Sequence, residues 1–171
     1  MGIRSMFYSD YSTTIHWHGV HQEYNNANDG VPGVTQCPIA PGKSFTYTFR
    51  ATSYGHTWYH SHTSLQYSDG IVGPLIIYGP SSANWDIDLG AVQITDWFHT
   101  PASELFFAEE QPGPPLAGDT GLVNGKNVFN GSGEYYNIKF TPGKAHRIRL
   151  INPSTNTHFK FWIDQHPMTV R

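Results

Sequence analysis

The sequence predicts an all-β protein, and its composition supports this fold class in two ways. Seventeen glycines and twelve prolines interrupt short apolar runs, as expected for many strands joined by tight turns. Aromatic residues reach 15%, whereas charged residues make up only 13%, about half of the usual share. The 171 residues are enough to bury a sizeable core, as one large domain or as pieces of two.

Alternating apolar residues locate the first strands. In "SFTYTFRA" (44–51), every second residue is aromatic, and a Pro-Gly pair just before this run supplies a turn. The run "IVGPLIIYGP" (71–80) is typical of a buried strand that a Gly-Pro pair stops. We therefore expect residues 1–80 to form one β domain.

A second series of strands follows a polar segment, "SSANWDIDLG" (81–90), which predicts a linker. The strands expected beyond it are "AVQITDWF" (91–98), "YYNIKF" (135–140), "HRIRLI" (146–151) and "HFKFWID" (158–164). A helical turn or two is expected only around residues 101–110. Residues 91–171 are therefore expected to form the second domain.

Charge, hydropathy and cysteine content exclude several function classes. The net charge of −3 lacks the basic surface typical of nucleic-acid binding, so we expect no nucleic-acid partner. No run of 18 apolar residues predicts a membrane span, so no membrane partner is expected. The N-terminal "MGIRSMFYSD" has no apolar run, so we expect no signal peptide in this chain. Cys37 is the sole cysteine, so no disulfide can close within these residues.

Two His-x-His pairs are the strongest functional signal. His16 and His18 flank a tryptophan in "TTIHWHGVHQ", and His60 and His62 flank a serine in "TWYHSH". Residues i and i+2 of a strand point to the same face, so each pair would present two imidazoles together. If the two strands lie close in space, four imidazoles converge. Imidazole suits copper, zinc, iron and nickel, so we predict a metal site at these four residues.

A mononuclear site of the cupin type is an alternative. The stretch "HWHGVHQEYNNANDG" fits much of the first cupin motif and would bind iron or manganese through His16, His18 and Glu23. That motif has a glycine six positions before the first histidine, where this chain has Asp10. The second cupin motif, Pro-x-Gly-x-x-His, is absent, and the second His-x-His pair stays unexplained.

Four segments together resemble fungal laccases of the ascomycete type, over roughly residues 12–171. They are "TTIHWHGVHQ", "DGVPGVTQCPIAPGKSFTYTF", "TWYHSHTSLQYSDGIVGPLIIYGP" and "HRIRLINPSTNTHFKFWIDQH". Laccases are multicopper oxidases built from cupredoxin-like Greek-key β-sandwiches, so the resemblance implies two partial domains of that fold. It further implies a copper-dependent oxidoreductase that oxidises phenolic (diphenol) substrates, reduces dioxygen to water and is secreted to the extracellular space.

The resemblance also implies roles for single residues. His16 matches the family's type 2 copper ligand, and His18, His60 and His62 match ligands of the type 3 pair in the same trinuclear cluster. Asp29 matches an acid near the type 2 copper that helps to deliver protons. The other six histidines match no copper ligand and are expected to be structural: His21, His56, His99, His146, His158 and His166.

The four histidines are half of the ligands that the family's cluster needs. A blue-copper (type 1) site requires a cysteine with a histidine a few residues downstream, and Cys37 is followed by proline. The type 1 copper is therefore not encoded in this chain. The resemblance implies a fragment whose partner is the third-domain segment of a parent protein, and a later cysteine that pairs with Cys37. We expect weak copper binding and no oxidase activity from the isolated chain, so a non-catalytic copper-binding protein is the alternative function.

Overall fold

The computed structural model describes residues 2–4 and 11–171. Most of "MGIRSMFYSD", in which no signal peptide is expected, lies outside the described residues. The chain divides into two compact units, Met1–Ile77 and Tyr78–Arg171, which we call the first and the second unit. The division lies close to the expected domain boundary at residue 80.

Short strands dominate both units, which confirms the all-β prediction. The first unit contains β1 (Gly2–Arg4), β2 (Ile15–Trp17), a 3-10 turn (Asn26–Asn28), β3 (Ser44–Thr46), β4 (Gly55–Ser61) and β5 (Val72–Ile77). The second unit contains β6 (Ile87–Trp97), helix α1 (Ala102–Glu109), β7 (Thr120–Val123), β8 (Val128–Phe129), β9 (Ser132–Gly133) and β10 (His146–Ile151). In the described part of the chain, no helix is long and apolar enough to cross a bilayer.

The first unit is built around the antiparallel sheet β2-β4-β5, with β1 and β3 forming a separate antiparallel pair. Its hydrophobic core consists of Ile15, Trp17, Ile39 and Tyr47. Trp17 and Tyr47 are completely buried, and their ring centroids lie 5.4 Å apart in an edge-on contact. Because alternate residues of β2 enter this core, the core decides which face of the strand is left for His16.

The second unit is built around the sheet β10-β6-β7, in which β10 runs parallel and β7 antiparallel to β6. Two charged side chains, Asp96 and Arg149, are buried in it at 6% and 1% exposure. Arg149 Nη1 donates to the Asp88 carboxylate, and its guanidinium lies 5.5 Å from the centre of the Tyr78 ring. The Asp96 carboxylate accepts the backbone N–H groups of residues 155–157 at 2.9 to 3.0 Å. The Asp96 carboxylate therefore has directional partners at both oxygens, whereas Arg149 has one at Nη1 only, and its buried Nε and Nη2 have no hydrogen-bond partner among the described residues.

Three predicted strands are wrong wholly or in part. Residues 135–140 form no strand, and residues 158–164 contribute only an isolated bridge between Ile163 and His166. Of the strand expected at 44–51, only β3 forms. Alternating side chains supply an apolar face, but a strand also needs a neighbouring backbone to complete its hydrogen bonds. Residues 47–51, 135–140 and 158–164 pair with no strand within the described residues.

The expected linker at 81–90 is wrong over residues 87–90, because β6 begins at Ile87. Ile87, the first residue of β6, pairs with His146, the first residue of β10. Within residues 87–90, the polar side chain is that of Asp88, whose carboxylate is the partner of buried Arg149. Helix α1 fulfils the expectation of a helical turn or two near residues 101–110.

Candidate metal centre

Neighbouring strands bring the two His-x-His pairs together. Strands β2 and β4 pair antiparallel with His16 directly opposite His60. The ladder continues past both strand ends, because the His18 N–H donates to a carbonyl of β4 at 3.0 Å. The His62 N–H likewise donates to a carbonyl just before β2 at 3.2 Å. The pairing therefore sets the two His-x-His pairs side by side, which is the condition on which the expected convergence of the imidazoles depended.

The histidines lie on the face of this sheet opposite the aromatic core. Ile15 and Trp17 flank His16 and are 4% and 0% exposed, whereas the His16 side chain is 23% exposed. Ser61, at the centre of the second pair, is also buried. Packing of the alternate residues therefore fixes the direction in which the imidazoles project.

Three of the four imidazoles converge within metal-binding reach. Ligand atoms of His16, His18 and His60 all lie within 4.8 Å of one another. The His62 ring lies beside this group, with its centroid 5.6 Å from that of His16 and 6.1 Å from that of His60. Glu23 is exposed and is not a member of the group. The cupin-type alternative therefore lacks its carboxylate ligand.

Backbone carbonyls fix the tautomer of two of these rings. His16 Nδ1 lies 2.9 Å from the Asp29 carbonyl oxygen, and His60 Nδ1 lies 2.9 Å from the Ser61 carbonyl oxygen. A carbonyl oxygen only accepts, so Nδ1 of each ring carries the proton and donates. The neutral ring then keeps its lone pair on Nε2, the nitrogen that can bind a metal. These two carbonyls could not be predicted from the sequence, because every residue type has a backbone carbonyl.

Aromatic side chains pack against one flank of the cluster. The Trp58 ring stacks on His18 with centroids 4.5 Å apart and lies 4.6 Å from the His60 ring. Tyr67 lies 5.1 Å from both Trp58 and His60. These rings restrict rotation of the imidazoles. Sequence reasoning missed Tyr67, because nothing local indicates that its loop returns to β4.

A buried network of hydroxyl and amide groups joins the strands that carry the histidines. Gln66 Oε1 accepts from Thr13 Oγ1 at 2.9 Å and from Ser61 Oγ at 2.7 Å. Gln66 Nε2 donates to the Ser12 carbonyl at 2.8 Å. Thr13 and Ser61 are buried, so their hydroxyls need internal partners. One glutamine thus ties the segment before β2 to the end of β4.

Burial and mutual proximity lower the pKa of two imidazoles. The pKa of His18 is lowered chiefly by burial and further by the nearby His16. Burial also lowers the pKa of His60; its hydrogen bond to Ser61 opposes this shift, and the neighbouring histidines add to it. Both rings therefore stay neutral to lower pH than an ordinary histidine with a pKa of 6.5. The neutral ring is the form that binds a metal.

Asp29, the residue expected to deliver protons, lies beside His16. Its Oδ1 is 3.3 Å from His16 Nδ1, and its side chain is 30% exposed. It follows the 3-10 turn Asn26–Asn28 and caps the end of that turn. The carboxylate therefore reaches both the histidine cluster and the solvent.

The remaining histidines belong to no group of three close metal donors among the described residues. His21 and His56 line a cavity of about 100 Å³ in the first unit. His158 is exposed. Three others form hydrogen bonds within the second unit: His99 with Asp119, His146 with Thr141 and His166 with Asp164. Cys37 is exposed and forms no disulfide in the described part of the chain.

The donor set fits a transition-metal ion. Three imidazoles lie close together, a fourth lies beside them, and carbonyls hold the Nδ1–H of two rings so that Nε2 remains for a metal. Imidazole nitrogens bind copper, zinc, iron and nickel, whereas magnesium and calcium prefer oxygen ligands. The residues present therefore fit copper, although the donors alone do not choose among these four metals.

Comparison with known proteins identifies the family. Two family models, both described as multicopper oxidase, match residues 4–82 and 90–170. Laccase-1 of Botryotinia fuckeliana is 51% identical over 158 residues, which covers 92% of this chain and 28% of that protein. A laccase of Neurospora crassa is 49% identical over 161 residues, which covers 92% of this chain and 26% of that protein. The chain thus spans little more than a quarter of the length of these relatives.

Solved structures agree with this result. The crystal structure of a laccase from Botrytis aclada matches with a TM-score of 0.81 and 44% identity, over 90% of this chain and 30% of that one. Fet3p, described as a multicopper oxidase that functions in iron import, matches with a TM-score of 0.70 and 30% identity, over 85% of this chain and 27% of that one. These likenesses confirm the predicted cupredoxin-like fold. The chain belongs to the multicopper oxidases, a family of oxidoreductases.

Proposed function

We propose that this chain supplies copper ligands to a laccase-type oxidase that oxidises phenolic substrates and reduces dioxygen to water. The observation that carries this proposal is the convergence of His16, His18 and His60, with His62 beside them, on one face of a sheet. The copper oxidoreductase chemistry of the family favours copper over the other metals that imidazole binds.

Each histidine would have a definite part in this centre. We assign His16 to the type 2 copper and His18, His60 and His62 to the type 3 pair. Copper, when bound, supplies the redox chemistry by which electrons reach dioxygen. The chain holds the Nδ1–H of His16 and His60 on carbonyl oxygens, so both rings present Nε2 without a change of tautomer.

Asp29 is the residue to which we assign proton delivery. Reduction of dioxygen to water consumes protons, and a carboxylate beside the cluster can pass them inward from solvent. The Asp29 side chain is exposed enough to exchange protons with water, and its Oδ1 lies 3.3 Å from His16 Nδ1. We expect Asp29→Asn to keep copper binding in this chain and to slow oxygen reduction in the assembled parent protein, measured as oxygen uptake.

The complete cluster and the entry of electrons require groups beyond these four histidines. We propose that a third-domain segment of a parent protein supplies the other cluster ligands and the type 1 copper. The oxidation of a phenol is then a property of the assembled protein, which we expect to act outside the cell.

Copper stoichiometry per folded chain tests the ligand assignment. We expect copper binding in the unaltered chain and its loss in the double variant His60→Ala/His62→Ala. The matched control is His158→Ala, which removes an exposed histidine of the second unit and should leave copper binding unchanged. Copper binding that survives the double substitution, or none in the unaltered chain, contradicts the assignment.

Oxygen uptake on a simple diphenol, measured on the same samples, separates the two candidate functions. Copper binding that depends on the histidines without oxygen uptake would favour the non-catalytic copper-binding alternative for this chain. Uptake that depends on the same histidines would mean that electrons reach the cluster without a type 1 copper.

A further inference from the structure

The orientation of His16 depends on one neighbouring residue. Both oxygen atoms near His16 Nδ1 belong to Asp29: its carbonyl oxygen at 2.9 Å and its carboxylate Oδ1 at 3.3 Å. Asp29 does not lie on the sheet but just after the 3-10 turn Asn26–Asn28. Whatever holds this turn therefore also sets the tautomer and the direction of the His16 ring.

The turn approaches β2 more closely than any side chain would allow. Gly30 is buried and has φ +82°, a conformation that favours glycine. A Cβ at this position would lie 1.9 Å from the Ile15 carbonyl oxygen and 2.9 Å from the His16 backbone nitrogen. Glycine therefore permits the close approach that brings the Asp29 carbonyl to His16. It does not by itself hold the turn there.

Two asparagine side chains hold the turn. Asn28 Oδ1 accepts the Thr48 N–H at 2.8 Å, and Asn25 Nδ2 donates to the Thr48 carbonyl at 2.9 Å. Asn28 Nδ2 also donates to Asn25 Oδ1 at 2.7 Å, which links the two side chains. Both backbone groups of Thr48 are thus paired with side chains of the turn, as a partner strand would pair them. We call Asn25, Asn28 and the Thr48 backbone the asparagine clamp.

Tyr47, the residue before Thr48, binds the strand that carries His16. Tyr47 is completely buried, and its Oη accepts the backbone N–H of Ile15 at 2.9 Å. Ile15 immediately precedes His16 on β2. Tyr47 therefore fixes the strand that carries His16, while Thr48 fixes the turn that carries Asp29. Two consecutive residues set the distance between the imidazole and its hydrogen-bond acceptor.

We infer that Asn25 and Asn28 are positioning residues of the metal centre, which clamp the 26–29 turn to Thr48 so that the Asp29 carbonyl holds His16 Nδ1–H and leaves Nε2 for the metal. This inference rests on the proposed copper site. Neither asparagine is a ligand. They act through Asp29, in the way that groups bonded to metal-binding histidines set ring orientation and metal affinity.

The tautomer of His16 in the metal-free chain is the first readout, and it needs neither copper nor activity. Ring ¹⁵N chemical shifts distinguish Nδ1–H from Nε2–H. We expect the Nδ1–H form in the unaltered chain and a mixture of both forms in Asn28→Ala. The matched control is Asn26→Ala, because Asn26 lies in the same turn, is exposed and makes no side-chain hydrogen bond among the described residues. Asn28→Asp keeps an oxygen acceptor for the Thr48 N–H but loses the donor to Asn25 Oδ1, so we expect it to retain more of the Nδ1–H form than Asn28→Ala and less than the unaltered chain.

Copper affinity, measured by competition with a chelator, is the second readout. We expect Asn28→Ala to weaken copper binding by about tenfold, the lower end of the range for groups that orient metal ligands, and Asn26→Ala to leave it unchanged. If Asn28→Ala matches Asn26→Ala in both tautomer and affinity, the positioning role is overturned. If Asn28→Ala does not fold, Asn25→Ala, which removes the bond to the Thr48 carbonyl, carries the same expectations.

The two proposals fail in different ways. Copper binding that is unchanged by His16→Ala removes His16 from the proposed copper site, whatever the asparagine variants do. Copper binding that depends on His16 but not on Asn25 or Asn28 leaves the copper site intact and overturns only the clamp.

Discussion

The two units stabilise sheets of equal strand number with different kinds of buried side chain. Behind β2-β4-β5, the buried core is apolar and aromatic: Ile15, Trp17, Ile39 and Tyr47. In the second unit, the buried apolar residues Val92 and Ile151 are accompanied by buried Asp96 and Arg149. The first unit thus relies mainly on non-directional packing, and the second also on charges that need partners in fixed positions.

The histidine cluster lies on the sheet of the first unit, on the face opposite its apolar core. An apolar core contains no buried charges, so it does not require hydrogen-bond partners from side chains on the other face of the sheet. The opposite face of β2 and β4 can then present imidazoles whose Nε2 atoms are not used in structural hydrogen bonds. In the second unit, Arg149 of β10 donates through Nη1 to Asp88 of β6, and Asp96 of β6 accepts from loop backbone, while Arg149 Nε and Nη2 have no hydrogen-bond partner among the described residues.

The largest effect is expected from Trp17→Ala, which removes the fully buried ring at the centre of the apolar core. We expect the first unit to lose about 3–5 kcal/mol of unfolding free energy. Urea unfolding followed by the amide NMR signals of β4 measures this loss. The matched control is Trp162→Ala in the second unit, where the side chain is 69% exposed. A similar loss in both variants would contradict the importance of the apolar core.

The next largest effect is expected from Asp96→Ala in the second unit. The change leaves three backbone N–H groups, those of residues 155–157, without their carboxylate acceptor. We expect a loss of about 2–4 kcal/mol, followed by the amide signals of β10 during urea unfolding. Asp164→Ala is the control, because Asp164 is exposed and accepts only from the Trp162 indole. An unchanged midpoint for Asp96→Ala would mean that the buried charge does not stabilise the second unit.

A pH-dependent effect is expected from Asp88→Asn. Its hydrogen bond with Arg149 lowers the pKa of Asp88 below the ordinary 3.8, although burial opposes this shift. The folded chain therefore binds fewer protons at this group than the unfolded chain, so the pair stabilises fully above about pH 4 and less as the pH falls through the folded pKa. We expect Asp88→Asn to cost about 1–3 kcal/mol at neutral pH.

The test is urea unfolding of both chains at neutral and acidic pH. The difference in unfolding free energy between them should shrink below about pH 4, because the Asp88 carboxyl is protonated there in the unfolded chain before it is protonated in the folded one. A difference that stays constant down to pH 2 would exclude the ion pair as its cause. Lys144→Ala, which disrupts an exposed pair with Asp86, should change stability by less than about 1 kcal/mol.

The smallest effect is expected from Glu23→Gln. Glu23 is exposed and lies outside the group of close metal donors, so copper affinity should change by less than about twofold. A cupin-type site would instead lose its metal. Chelator competition on this variant, beside His16→Ala, therefore decides between one carboxylate-containing site and an all-histidine cluster.

Much of the first unit was predictable because its signals are local. The spacing of His16 and His18, and of His60 and His62, indicates shared faces on strands, and the aromatic residues between them indicate the buried side. The strands expected at 135–140 and 158–164 were not found, because their alternation indicates an apolar face but does not supply a pairing partner. Strand pairing needs two segments, and the local pattern of one segment does not show which other segment it pairs with.

The sequence by itself determined the fold class and the four candidate imidazoles, because composition, alternation and motif spacing are properties of the chain read in order, and its resemblance to fungal laccases indicated the family. Only the tertiary structure decided that His16 faces His60, that the carbonyls of Asp29 and Ser61 hold the two rings, and that Asn25 and Asn28 fasten the turn to Thr48. These contacts join segments distant in sequence or use backbone groups common to all residues. No residue type marks such contacts, so they become visible only once the chain is folded.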